Sequence, residues 1–121
     1  MKRDFDLIRE ILIQIEESAE ESMALSSLNL CGFDNMPEML NYHLKIMAEA
    51  GLIKVIPPRY IEDTERYASM LWGGHEFLDS ARDSTVWQKA KNKLSTSVVS
   101  VSMAVLVDVL KEEAKQYLGL K

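Results

Sequence analysis

The stretch Met36 to Ile53, MPEMLNYHLKIMAEAGLI, constrains this chain more than any other, because both ends of a helix are written into it. Pro37 suits the first helical position, where its missing N–H costs nothing, and Asn35 is placed to cap. Gly51 is the left-handed residue expected just beyond the last turn. At about 100° per residue, Met36, Met39, Leu40, His43, Leu44, Ile46, Met47 and Ala50 share one arc, while Glu38, Asn41, Tyr42, Lys45 and Glu49 face outward. His43 lies within the apolar arc and reads as a hydrogen-bonded core residue.

The residues after Gly51 change period. Leu52 to Ile56 is a short apolar strand, and Arg66 to Trp72 alternates as a second, with Tyr67, Ser69 and Leu71 on one face. Between them PPRYIEDTE opens on two prolines that cannot donate ladder hydrogen bonds, so it reads as a projecting loop between paired strands. Gly73 and Gly74 read as a break, followed by a helical turn or two from His75 to Arg82 with Phe77, Leu78 and Ala81 inward.

Upstream, Phe5, Ile8, Leu12, Ile15 and Ala19 recur at helical spacing with Ile11 at the edge, and Asp4 is the expected cap. The acidic run Glu16 to Glu21 reads as a solvated helix end and loop. Residues Met23 to Asn35 hold too many turn formers for a long helix, and a short strand is expected near Ala24 to Leu28.

Downstream, Ser84 is the expected cap of a helix from Thr85 to Leu94, with Trp87, Ala90 and Leu94 on its apolar side and Lys89 and Lys93 as a basic pair. STSVVSVS is a poor helix interior and reads as a connector. Ser100 or Ser102 then caps a final helix whose stripe runs through Met103, Leu106, Val107, Leu110, Ala114, Tyr117 and Leu118. A stripe this broad needs a covering surface, either its own domain or a second chain. Leu106, Leu110 and Tyr117 are therefore candidate interface residues for a homodimer.

Composition narrows the functional classes. Lys+Arg 14 against Asp+Glu 19 gives a net charge of -5, which disfavours the whole surface as a polyanion binder. A single cysteine, Cys31, excludes an intramolecular disulfide framework and a zinc site built on paired cysteines, and it reads as a small apolar filler. The charged opening has no secretory h-region, and no window approaches the ~20 apolar residues of a membrane span, so a cytoplasmic protein without a membrane partner is expected. There is no GxSxG elbow, no phosphate-binding glycine loop with lysine and no HExxH, so neither an enzyme nor a cofactor is expected. His75 and Asp79 stand at i and i+4, but two ligands without a third do not make a metal site.

YHLKIMAEAGLI, the two-stranded segment after it and LWGGHEFLDSARDSTVW resemble a family of small phage and prophage proteins catalogued as a domain of unknown function. The opening MKRDFDLIREILIQIEE and the closing SVSMAVLVDVLKEEAKQYLGL resemble it too, so the likeness spans nearly the whole chain. The central part also resembles winged-helix transcription regulators of the arsenical- and multiple-antibiotic-resistance types. That resemblance implies a mainly α (α+β) fold: a winged helix-turn-helix-like domain over residues 1–82 with a hairpin wing, and a C-terminal helical extension over 83–121. Here Ser26 to Asn35 reads as loop, so the second helix of the motif is shortened or missing.

By the same resemblance the outer helix face and the wing are the contact surface. The candidate DNA- or partner-binding residues are Glu38, Asn41, Tyr42 and Lys45 on the helix, with Arg59 and Arg66 on the wing. The implied function is a DNA-binding, transcription-regulator-like protein of phage or prophage origin. The alternative is a protein-interaction module on the same scaffold, favoured by net acidity and by the aromatics Tyr42, Tyr60 and Trp72.

Overall fold

The computed structural model describes residues 3–18, 20–30, 32, 37–58, 60–95 and 103–117. The sequence readings on Ala19, Cys31, Asn35, Met36, Arg59, Leu118, the connector and the caps at Ser100 or Ser102 fall outside these residues, as does the side chain of Tyr117. The chain divides into two compact units, Met1–Glu76 and Phe77–Lys121.

The first unit contains α1 (Phe5–Glu17), β1 (Met23–Ala24), a single 3-10 turn (Leu25–Ser27), α2 (Pro37–Glu49), β2 (Ile53–Ile56), β3 (Tyr67–Met70) and the start of α3 (Trp72–Ala81). The strands form an antiparallel sheet in the order β1-β3-β2, with Met23 opposite Ala68 and Ile53 opposite Met70. This is the expected α+β, winged-helix-like layout, and among the described residues between β1 and α2 there is a single 3-10 turn. The expected strand from Ala24 to Leu28 is shorter and earlier, because the chain coils into that turn at Leu25.

Helix α1 starts where the Asp4 carboxylate accepts the Leu7 N–H at 3.2 Å, as its capping role requires. Its buried face is Leu7, Ile8, Ile11, Leu12 and Ile15. Ile11 is therefore central rather than peripheral, and Leu7 joins it, because both β3 and α2 cover this helix and widen its apolar stripe. Phe5 is only half-buried and carries the Arg3 guanidinium 5.5 Å from its ring centre.

Helix α2 follows its sequence closely. His43, Leu44 and Met47 are buried while Glu38, Asn41, Lys45 and Glu49 are exposed. Ala50, expected inward, is exposed because the chain is already turning there. Gly51 has φ +77, and the Leu52 N–H reaches Met47 O at 3.0 Å while the Gly51 N–H reaches Ala48 O at 3.1 Å. Together these make a Schellman cap. The fully buried His43 accepts the Asp4 backbone N–H on Nε2 at 2.8 Å, and its Nδ1 lies 2.8 Å from Met39 O. An accepting Nε2 leaves the proton on Nδ1, so one neutral imidazole joins α2 to the start of α1.

Gly73 and Gly74 do not break the chain. They lie in the first turn of α3, which begins at Trp72. A Cβ on Gly74 would meet Leu52 O at 2.4 Å, and one on Gly73 would meet Gly51 O at 2.6 Å. The pair is there so that helix backbone can approach the corner that ends α2. The expected strand face also changes: Ala68 is fully buried, whereas Leu71 is exposed beyond the end of β3.

The second unit holds the rest of α3, α4 (Ser84–Ser95) and α5 (Met103–Tyr117). Asp83, not Ser84, caps α4, its Oδ1 accepting the N–H groups of Thr85 at 2.8 Å and Val86 at 3.1 Å. Phe77 and Trp87 pack edge to face, 6.0 Å apart and tilted 70°. Helix α5 packs on α4. Leu106, Leu110 and Glu113, spaced i, i+4, i+7, are buried, with the Lys93 ammonium paired to the Glu113 carboxylate. The candidate interface residues Leu106 and Leu110 are buried within this chain, at 1% and 0% exposure, which is the first of the two coverings the stripe allows.

Gly74→Ala should lower unfolding free energy by about 1–3 kcal/mol in a denaturant titration, as overpacking against fixed backbone does. Leu110→Glu should cost on the order of 3–5 kcal/mol, since it places an unpaired charge in the interior. It should appear as loss of helical signal at moderate temperature, and a normally melting variant would place Leu110 on an accessible surface.

Candidate interaction site

The outer face of α2 and the segment between β2 and β3 lie in the first unit and carry the sequence-predicted contact residues. Glu38, Asn41 and Lys45 are exposed, and Tyr42 is half-buried with its ring edge-on to His43, 5.5 Å between centres. Arg66, exposed just before β3, donates from Nη2 to Asn41 Oδ1 at 2.7 Å. The structure therefore brings Asn41 and Arg66 together, and each partly uses up the hydrogen-bonding capacity of the other.

The loop is held by its own acids. The Asp63 N–H bonds to Tyr60 O at 3.0 Å and closes a turn over Tyr60 to Asp63. The Asp63 carboxylate accepts the Glu65 N–H at 2.9 Å and the Tyr67 hydroxyl at 3.3 Å. Glu65 Oε1 accepts the Ser26 N–H at 3.0 Å, and the Leu25 N–H bonds to Arg66 O at 2.9 Å. Glu65, with the Arg66 carbonyl, thus pins the end of the loop to the 3-10 turn, while Asp63 braces the loop from within. Tyr60 and Ile61 at its tip are 68% and 103% exposed. Trp72, at the other end of β3, is also largely exposed.

Hydrogen bonds from the Ser26 hydroxyl and then the Ser26 backbone N–H hold the Glu65 carboxyl below its ordinary value of 4.5, against burial and the neighbouring Asp63 charge. Two further contacts had no sequence signal. Gln14 clasps Asn29 through both backbone groups, donating to its carbonyl at 2.6 Å and accepting its N–H at 2.8 Å. An open cleft of about 440 Å³ lies beside it, lined by Glu17, Ser18, Glu20 and Met23 among others.

Among the described residues no group of three His, Cys, Asp or Glu side chains is placed to hold a metal. Asp79, read with His75 as a possible pair, instead lies 3.6 Å from Arg82. No helix in the described residues is long and apolar enough to cross a membrane.

Residues 2–100 match the model of the family described as "Hypothetical protein (DUF2513)". The chain belongs to this family. An uncharacterized protein of Haemophilus influenzae is similar to it, 38% identical over 116 residues that cover 95% of this chain and 93% of the relative. No solved structure matches. The DUF2513 match takes in the hairpin and the whole of α2, so the Asn41–Arg66 contact and the pinned loop lie inside the region that defines the family.

A depressed carboxyl pKa contributes stability above the unfolded-state value, and that contribution is lost as pH falls through the folded value. Wild type should therefore be more stable than Glu65→Gln near neutrality, and the gap should close below pH 4.5. Paired urea titrations across that range check it.

Proposed function

We propose that this DUF2513 protein is a winged-helix protein-interaction module of phage or prophage origin rather than a reader of DNA sequence. The observation that carries the reading is the hydrogen bond between Arg66 and Asn41. An asparagine addresses adenine with both ends of its amide, and an arginine on a wing holds phosphate with free N–H groups. Here Asn41 Oδ1 already accepts from Arg66 at 2.7 Å. What remains outward on α2 is Lys45 between Glu38 and Glu49, a face of net negative charge on a chain of net charge -5. The phage or prophage origin rests on the sequence resemblance.

Lys45 and Arg66 favour the second reading, a DNA-binding regulator, in which the pair opens and the guanidinium turns to a phosphate. Fluorescence anisotropy with a random-sequence duplex separates the two, because phosphate contacts give an affinity that falls steeply between about 50 mM and 200 mM salt. The proposed reading expects no saturable binding even at the lower salt. Saturable, salt-sensitive binding that Lys45→Glu abolishes would replace it with the DNA reading.

A further inference from the structure

We propose that the loop tip, Tyr60 and Ile61, is the anchor of this interaction and that it inserts into an apolar pocket rimmed by lysine or arginine on the partner protein. The inference rests on the protein-partner reading and adds the surface and its chemistry.

Three observations combine. The first is exposure: Ile61 is 103% and Tyr60 68% accessible, adjacent in sequence at the apex of the β2–β3 connection. The second is rigidity. The turn bond from the Asp63 N–H to Tyr60 O, the two bonds accepted by the Asp63 carboxylate, and the Glu65–Ser26 and Arg66–Leu25 bonds fix the returning strand to the body. An anchor held in place before binding loses little conformational entropy when it docks, and such anchors dominate interface energetics. A loop that merely connected two strands would need neither the apolar tip nor so many ties.

The third observation is charge. Residues 59–66 hold Arg59 and Arg66 against Glu62, Asp63 and Glu65, and the Arg66 guanidinium is drawn away to Asn41 on α2. The exposed Glu62 directly follows Ile61. A complementary rim is therefore basic, which also opposes use of this tip on a phosphate backbone.

The test selects random peptides displayed on phage against the full chain, since short binders converge on surfaces where anchors are preorganised. The expected binders combine large apolar residues with lysine or arginine and weaken as salt rises. Ile61→Ser should reduce their affinity at least tenfold, and Glu62→Lys should reduce it while leaving apolar selectivity intact. Trp72→Ser should leave it unchanged. Ile61 is fully exposed, so its variant should melt like wild type, and a normal melt shows that lost binding is not lost folding.

Binders that tolerate Ile61→Ser, binders without a basic bias, or no binders at all would overturn the proposal. Binders that Lys45→Glu abolishes and Ile61→Ser does not would sink the tip while sparing the protein-partner reading. That reading is itself sunk by the duplex DNA assay.

Discussion

The corner at Gly51 and Leu52 ends α2, starts the hairpin and receives α3 within two residues, and the first unit is assembled around it. Gly51 adopts a left-handed conformation, which lets the Leu52 N–H turn back onto Met47 O. The Leu52 carbonyl then accepts the Leu71 N–H at 3.0 Å, tying the end of β3 to the end of α2. The same carbonyl stands where a Cβ on Gly74 would lie. Leu52 thus caps α2 through its N–H and serves as strand partner and helix seat through its carbonyl, and a Cβ at Gly73 or Gly74 would collide with backbone at this corner.

Helix α2 was legible because its signals are local. Proline, glycine and a helical period sit within one stretch, and burial follows the period at His43, Leu44 and Met47. Signals failed where the deciding partner is distant in sequence. Gly73 and Gly74 look like a break until the Gly51–Leu52 corner is seen beside them. One failure was local: Ser84 is a good cap in isolation, but Asp83 offers a carboxylate one residue earlier and takes the N–H groups of Thr85 and Val86. The burial of Glu113 depends on Lys93 reaching it from another helix.

The candidate site shows the same division. The helix period alone placed Glu38, Asn41 and Lys45 on the outside. That Asn41 is bonded to Arg66, and Glu65 to the Ser26 N–H, depends on tertiary approach of α2 and of the 3-10 turn to the end of the hairpin loop. A polar side chain on an outer face is not thereby free for a ligand. Here several such groups are spent holding the loop, and the residues they leave exposed at its tip are the apolar ones.

The hairpin also separates two kinds of constraint along its length. Its base meets the Gly51–Leu52 corner, where a single added carbon collides with backbone, and its apex projects the largely exposed Tyr60 and the fully exposed Ile61. Sequence change at the base is filtered by folding, whereas change at the apex is nearly free of it. On the proposed reading of the tip as an anchor, drift in a few apical positions would exchange one binding specificity for another without passing through unstable intermediates.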